Sequence, residues 1–398
     1  MMRFILILCV SACLYAPALY AQTSVLDSLK TTLKTAREDT AKVSLLLRIA
    51  ELQEGDPLLQ RKTAEKAYAL AERLLDTRGQ AAAMNLIADS HEQQGSYPEA
   101  TRAAEAALTI AERGGHTSER ADALRYLGFT QYRQGNLNAA FDLLFGALSL
   151  FEALGNKGNE RTIARTLNSI GSVYGESGNY VKALEYQRQA LALSEAAGDL
   201  SGQAKNLNNI ANKYMQIRQW DTAIAYLRRA YAINERLKNK ADMEINILNL
   251  GEALTSVRNY AEARTMLERA IALAEELNNK GDIAYIYRLF AELAVAEGKP
   301  REGVSHARRA IALADSLGAR PDKRDALQAL AAAHEAAGDI GQAFGAYKAF
   351  ILLWNSISND ELAKKSAARE AKYAADKKDA EIKLLKKDAE NQMLVRNS

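Results

Sequence analysis

Cysteine, histidine and proline are scarce in this sequence of 398 residues, and each scarcity excludes a class of structure or site. The two cysteines, Cys9 and Cys13, stand at the extreme N-terminus, so the rest of the chain can form no disulfide and no thiolate site. No two of the four histidines are three or four residues apart, which excludes a helical two-histidine metal site. Only 5 prolines occur, and no alternating run of β-branched residues is present, so helices are favoured over strands.

Charge of one sign is also missing, because 52 basic residues are balanced by 49 acidic ones and the two kinds are interleaved. A nucleic-acid partner is not expected, since such proteins cluster their basic residues on one face. No nucleophile elbow, zinc helix or calcium loop appears, and an enzyme would need a pocket of clustered titratable groups. Gly171, Gly175 and Gly178 resemble a phosphate loop but lack its Gly-Lys-Ser/Thr ending. We therefore predict no catalytic residue, no cofactor and no metal.

Long apolar runs are confined to the N-terminus. Arg3 precedes the apolar residues 4–10, a pattern typical of a secretory signal peptide, and we predict residues 1–21 as that peptide, with cleavage after Ala21. Two alternatives stay open, a lipoprotein box ending at Cys13 and a buried N-terminal helix. No other run is long enough to cross a bilayer. The prediction is an exported, periplasmic chain with no membrane insertion of its own.

The rest of the chain repeats one unit of about forty residues. A small residue marks each unit, at Ala88, Gly128, Gly171, Ala211, Gly251, Ala291 and Ala331. Seven positions later most units have glycine and two have arginine, at Gly95, Gly135, Gly178, Arg218, Arg258, Gly298 and Gly338. Two alanine columns follow, the second at Ala107, Ala147, Ala190, Ala230, Ala270 and Ala310.

Each column has a physical interpretation. The first small residue lies midway along a helix, helix A, and allows a second helix, helix B, to approach closely. The glycine follows the end of helix A, where a left-handed backbone is needed. The alanine columns are seven residues apart and so share one face of helix B, against which the next helix can dock.

The segment GSVYGESGNYVKALEYQRQA, residues 171–190, resembles the signature of the tetratricopeptide repeat (TPR) family. The period of forty is similar to the longer-helix variety of bacterial regulators and peptide-binding adaptors. The resemblance implies an all-α fold, a right-handed superhelical solenoid of helix-turn-helix pairs, followed here by a long C-terminal helix. We expect an N-terminal capping segment at 22–40, about eight repeats over 41–359 with a degenerate first unit, and a charged helix at 360–398.

The charged segment 360–398 contains no glycine or proline and is rich in Glu, Lys and Ala, which predicts one helix. Ala368, Ala375, Ile382 and Ala389 recur every seven residues, so dimerisation through a weak coiled coil is one expectation. A solvated helix packed on the last repeat is the alternative. The layout is similar to the periplasmic TPR sensor region of bacterial membrane-bound signalling proteins, but this sequence shows neither the spanning helix nor the output domain of that plan. A truncated product, a fragment that is the extracytoplasmic part of a longer membrane protein, and a free periplasmic protein all stay open.

In TPR proteins the inner face of helix A lines a ligand groove, and here that face is rich in amides and cations. Asparagine disfavours helix, so its accumulation near residue 208 calls for a reason, such as bonding to a peptide backbone. The predicted peptide-binding residues are Asn85, Arg125, Arg165, Asn168, Lys205, Asn208, Asn212, Arg288 and Gln328. The alternative is that these residues merely face water, with Asn206 and Asn209 bonding to neighbouring helices instead.

The sequence thus predicts a non-catalytic scaffold of the cell envelope that binds a protein or peptide, as the sensory or interaction part of a signalling system. The alternative function is an architectural assembly factor or spacer of an envelope complex, with no ligand in its groove.

Overall fold

The structure is a computed structural model that describes residues 16–53, 55–155 and 158–360. Within these ranges every regular element is a helix. The start of the predicted signal peptide, residues 1–15, and the charged segment from 361 onward lie outside the described residues. The predicted coiled coil and its dimer contact therefore stay predictions.

The helices follow one another through short turns. In chain order they are α1 (Ala16–Thr35), α2 (Thr40–Leu52), α3 (Pro57–Arg73), α4 (Thr77–Gln93), α5 (Tyr97–Gly114), α6 (Thr117–Arg133), α7 (Leu137–Ala153), α8 (Glu160–Glu176), α9 (Tyr180–Ala196), α10 (Leu200–Gln216), α11 (Trp220–Leu237), α12 (Lys240–Ser256), α13 (Tyr260–Glu276), α14 (Lys280–Ala296), α15 (Pro300–Leu317), α16 (Arg320–Ala336) and α17 over residues 340–360.

The helices divide between two compact units, unit 1 up to residue 246 and unit 2 from residue 247. In unit 1 the helix A and helix B partners are α2 with α3, α4 with α5, α6 with α7, α8 with α9 and α10 with α11. In unit 2, α14 pairs with α15, and α16 packs on α15. Extensive contacts in each unit join helices that are adjacent in the chain or next but one. This is the pairing expected of a helical repeat.

From the repeat of α4 and α5 onward, the turn inside the repeat has the left-handed backbone that the glycine column predicts. Gly95, Gly135, Gly178, Gly298 and Gly338 have φ between 71° and 80°. Arg218 and Arg258, which stand in the same column, adopt φ of 60° and 63° although they carry a side chain. The geometry of the repeat therefore overrides the preference of these two residues.

The small-residue column is a contact between the two helices of a repeat, as predicted. A Cβ atom built on Gly128 would lie 2.7 Å from Cγ of Leu144, and one on Gly171 would lie 3.0 Å from the backbone oxygen of Ala183. The alanines of the second column, from Ala107 to Ala310, are buried almost completely. These alanines hold the apolar core between successive repeats.

The N-terminal end differs from the regular repeats. Helix α2 has only 13 residues, whereas α4, α6, α8 and α10 have 17 each. Helix α1 runs from Ala16 through the expected cleavage position, Ala21, to Thr35. None of the described helices combines the length and the apolar character that crossing a bilayer requires. The domain limits predicted from the sequence are not tested by these observations.

Candidate functional site

The inner faces of α2, α4, α6 and α8, with one residue of α3, enclose a cavity of about 530 Å³ in unit 1, here called the charged cavity. Four arginines and four carboxylates line it, namely Arg48, Arg125, Arg161, Arg165, Glu51, Asp89, Glu119 and Asp122. The forty-residue period explains the convergence, because equivalent positions of successive A helices face the same side.

Several of these charges have close partners. Arg48 pairs with Glu51 on its own helix at 2.7 Å, and Glu119 pairs with Arg78 at 2.8 Å. Asp89 accepts hydrogen bonds of 2.9 Å from the side-chain amides of Gln60 and Gln93. Three carboxylates of the cavity wall, those of Glu51, Asp89 and Glu119, are therefore held by neighbouring side chains.

Arg125 is the most buried charge of the cavity, with only 6% of its surface exposed. Its guanidinium lies 3.8 Å from the ring centroid of Tyr126 and 3.5 Å from Asp122, and its Nε has no hydrogen-bond partner. Burial raises the pKa of Asp122, and Arg125 and Arg165 oppose that shift. A buried N–H group without a partner is costly, so the position of Arg125 carries an energetic penalty.

Glu92 adds a carboxylate on the side of α4 that carries Asp89. Its Oε2 is buried without a partner. Burial, assisted by the nearby charge of Asp89, raises the pKa of Glu92 to about 7, against the opposing effect of Arg125 and Arg165. The charge of this region therefore changes near neutral pH.

Asn85 connects two helices at the cavity wall. Its amide Nδ2 donates to the backbone oxygen of Glu119 at 2.8 Å, which ties α4 to α6. Its Oδ1 is buried and accepts no hydrogen bond. Two residues of the same cavity thus carry one unused donor, on Arg125, and one unused acceptor, on Asn85.

A second polar site, here called the asparagine cluster, lies on α8, α10, α11 and α12 around a cavity of about 140 Å³. Asn209 donates to Asn168 at 3.0 Å, Asn246 donates to Asn208 at 3.0 Å, and Asn234 donates to Asn246 at 2.8 Å. Lys205 lines the same cavity. The amides bond to one another across neighbouring helices, so they stabilise the stack and also present a polar surface.

Comparison with known sequences agrees with this geometry. Models described as tetratricopeptide repeat match residues 80–114 and, in four overlapping segments, residues 119–316. The chain belongs to the TPR family. No curated protein sequence matches it.

Solved TPR structures share the fold at low sequence identity. The apo form of the quorum sensor NprR from B. thuringiensis is 15% identical, with a TM-score of 0.60 over 84% of this chain and 97% of that one. A Rap protein complexed with competence and sporulation factor is 15% identical, with a TM-score of 0.59 over 87% and 98% of the two chains. The apo form of RapI gives 15% and 0.58 over 70% and 99%. At this identity the likeness concerns the fold.

The TPR groove residues predicted from sequence fall into three groups. Asn85, Arg125 and Arg165 line the charged cavity, and Asn168, Lys205 and Asn208 line the asparagine cluster. Asn212 is half-buried further along α10.

The other two predicted residues belong to unit 2. There, Arg288 pairs with Glu292 and lies 4.4 Å from the ring centroid of Tyr285, and Gln328 is exposed. No observation tests ligand binding by any of the nine, which stay predictions.

Two details of the sequence interpretation are settled. The alternative for Asn206 and Asn209 is confirmed, since Asn206 donates to the hydroxyl of Ser194 at 3.0 Å and Asn209 to Asn168. Gly171 and Gly175 lie inside α8 and Gly178 follows its end, so this glycine series is a helix-to-helix passage as predicted.

The sequence analysis did not identify two acidic residues, Asp122 in the charged cavity and Glu92 next to it. Asp122 stands in the same repeat column as Arg165 and Lys205, six positions before the small residue, so its position was available from the alignment. Glu92 occupies a column that elsewhere has mostly apolar or small residues, such as Gly175, Met215 and Val295. An acid in such a column is the signal that could have identified it.

Proposed function

We propose that this TPR protein is a non-catalytic scaffold that binds an extended segment of another polypeptide in the charged cavity of unit 1. The observation that carries the proposal is one cavity in which guanidinium groups, carboxylates and the side chain of Asn85 lie together, among them Arg125 and Arg165. Each peptide unit offers one acceptor and one donor, so the guanidinium, carboxylate and amide groups that line the cavity can bond to a peptide backbone. The asparagine cluster extends the same polar surface.

Two solved relatives by fold support this class of ligand. One is named a quorum sensor, and another was crystallised with competence and sporulation factor. We extend binding, but not the identity of the ligand, from those proteins to this chain.

Selection of short random peptides on the full chain, followed by fluorescence anisotropy with the enriched peptides, tests the proposal. Arg125→Leu removes every donor of this side chain at similar volume, and we expect affinity to fall roughly tenfold or more, since an interaction with a charged group contributes about 1.5–3 kcal/mol. Arg125→Lys keeps the charge but not the planar donors and should also weaken binding. Arg102→Leu, on the exposed side of α5, is the control and should bind like the wild type.

Loss of binding counts only where circular dichroism shows that the variant keeps its helices. Failure to enrich any peptide would refute peptide binding in the charged cavity and favour an architectural role. Wild-type affinity in Arg125→Leu and Arg125→Lys, as in the control, would do the same. Mass spectrometry of recovered peptides should show them unchanged, as a non-catalytic scaffold requires. A cleaved or modified peptide would contradict that part of the proposal.

We also propose that the protein is exported and acts in the envelope as the sensory or interaction part of a signalling system. The support is the N-terminal pattern of Arg3 followed by an apolar run. N-terminal sequencing of the protein from a bacterial periplasmic fraction should begin at Gln22. A chain that keeps Met1 in the cytoplasm would refute export, and a lipid on Cys13 would show the lipoprotein alternative.

A further inference from the structure

Successive repeats of unit 1 are not equally close to one another. Helices α3 and α4, like α5 and α6, approach each other over a longer stretch than α7 and α8 do. Among successive A helices from α2 to α10, α6 and α8 share the shortest stretch of close approach. The charged cavity lies at this junction, because α6 lines one side of it and α8 another.

Two columns of the repeat face each other at each junction, one late in helix B and one in the next helix A. The hydrogen bonds of Asn206 with Ser194, 3.0 Å, and of Asn234 with Asn246, 2.8 Å, show which columns these are. The earlier junctions of unit 1 have completely buried alanine in both columns, at Ala71 and Ala83 and at Ala111 and Ala123. Two alanines allow the backbones of the two helices to come close.

At the junction of α7 and α8 the same columns contain Phe151 and Thr166. Phe151 is 1% exposed and belongs to one core cluster with Ile163 of α8. The distance between packed helices depends on the side chains between them, so a phenylalanine ring holds α7 and α8 further apart than two alanines do. The sequence accommodates the wider junction, since the spacing from Gly128 to Gly171 is three residues longer than that of the other units.

Phe151 acts on the part of α8 that lines the charged cavity. It lies two residues before the end of α7, and its core cluster includes Ile163 and Ala164 from the first half of α8. The same half contributes Arg161 and Arg165 to the cavity wall. Phe151 is not among the described residues that line the cavity, so its ring stands behind the wall.

We propose that Phe151 is a positioning residue, which sets the width of the charged cavity by holding the first turns of α8 away from α6. The width in turn selects bound segments that carry a large side chain between these helices. This inference rests on the proposed function, since the width selects a ligand only where a segment binds. Protein interiors are closely packed, so a smaller side chain at this position draws the helices together.

The spacing of the helices can be measured without any ligand. With the two native cysteines replaced by serine, nitroxide labels at Thr117→Cys and Glu160→Cys mark the first residues of α6 and α8. We expect Phe151→Ala to bring these labels closer and so to broaden the continuous-wave electron paramagnetic resonance spectrum. Labels at Thr77→Cys and Thr117→Cys, the first residues of α4 and α6, are the control and should give the same spectrum with and without the substitution. An unchanged first pair, or equal broadening of both pairs, would overturn the proposal.

A second variant keeps the measurement decisive if the loss of the ring unfolds the chain. Phe151→Leu removes less buried surface and should draw the labels together by a smaller amount in the same direction. Circular dichroism shows which variants keep their helices, and an unchanged spectrum in a folded Phe151→Leu chain would count equally against the proposal.

Peptide selection on the folded variant tests the consequence for the ligand. We expect the wild type to enrich peptides with a large side chain, and those peptides to bind the variant roughly tenfold more weakly, because the narrower cavity excludes that side chain. Selection on the variant should enrich smaller side chains at that position. Leu293→Ala, an equally buried truncation in unit 2, controls for lost stability and should leave both the affinity and the preference unchanged.

The outcomes separate this inference from the proposed function. Unchanged affinity and preference in the variant would refute selection by width, even with the helices closer together. Failure of the wild type to enrich any peptide would contradict the proposed function itself, while the spectra would still decide whether Phe151 sets the spacing.

Discussion

At the scale of single residues, Glu92 is a buried carboxylate whose ionisation destabilises the fold. Burial raises the pKa of Glu92 to about 7 from a usual value of 4.5. Between these pH values the folded chain keeps a proton that the unfolded chain has lost, so stability falls as pH rises through this window. Above it the ionised carboxylate destabilises the fold by at most on the order of 3 kcal/mol.

The substitution Glu92→Gln removes this titration. We expect the variant to gain stability over the wild type most above pH 7, with the gain shrinking towards pH 4.5, measured by urea unfolding at several pH values. Glu105→Gln, on the exposed side of α5, should follow the wild-type curve. A constant difference between Glu92→Gln and wild type at every pH would show that the carboxyl does not titrate as described.

Arg218 is a second strained residue, with a left-handed φ of 60° where other repeats have glycine. A side chain in this conformation costs about 1–2 kcal/mol, although glycine returns part of that through the freedom of the unfolded chain. We expect Arg218→Gly to stabilise the protein by about 1 kcal/mol in urea unfolding. Gly178→Ala, the reverse change in the same column, should destabilise it. Destabilisation by Arg218→Gly, or stabilisation by Gly178→Ala, would refute the cap assignment.

At the scale of helices, α6 and α7 provide a matched pair of glycines. A Cβ on Gly128 would stand 2.7 Å from Cγ of Leu144, whereas one on Gly146 would meet nothing closer than 3.9 Å. We expect Gly128→Ala to destabilise by about 1–3 kcal/mol through overpacking. Gly146→Ala should stabilise by about 1 kcal/mol, since alanine favours helix. Equal effects in thermal unfolding would mean that the small-residue column does not set the helix spacing.

The helices were predictable from the sequence because their determinants are local. Columns of glycine and alanine forty residues apart report turns and close contacts directly, and Gly128, Gly178 and Ala147 lie as they predict. The site was predictable only in part, since a column tells which side a residue faces and not what it bonds to. The mutual bonds of Asn168 with Asn209, and the burial of Glu92, arise from neighbouring helices.

At the scale of the whole molecule, we expect the stability of each helix to depend on the helices that pack directly against it. The extensive contacts of each helix are with helices one or two positions away in the chain, so a perturbation in one repeat has no direct route to a distant one. Stability in such an array is the sum of repeat and nearest-neighbour contributions. A substitution in one repeat should therefore change local unfolding only in that repeat and in the repeats adjacent to it.

Hydrogen exchange of Gly128→Ala tests this within unit 1. The clash with Leu144 lies between α6 and α7, so amide protection should fall there and in the adjacent α4, α5 and α8. Protection in α10 and α11 should change little, because those helices share no extensive contact with α6 or α7. The stabilising change Gly146→Ala should raise protection over the same helices that Gly128→Ala weakens. Uniform loss of protection from α2 to α11 would show that unit 1 opens as one cooperative body, against the nearest-neighbour account.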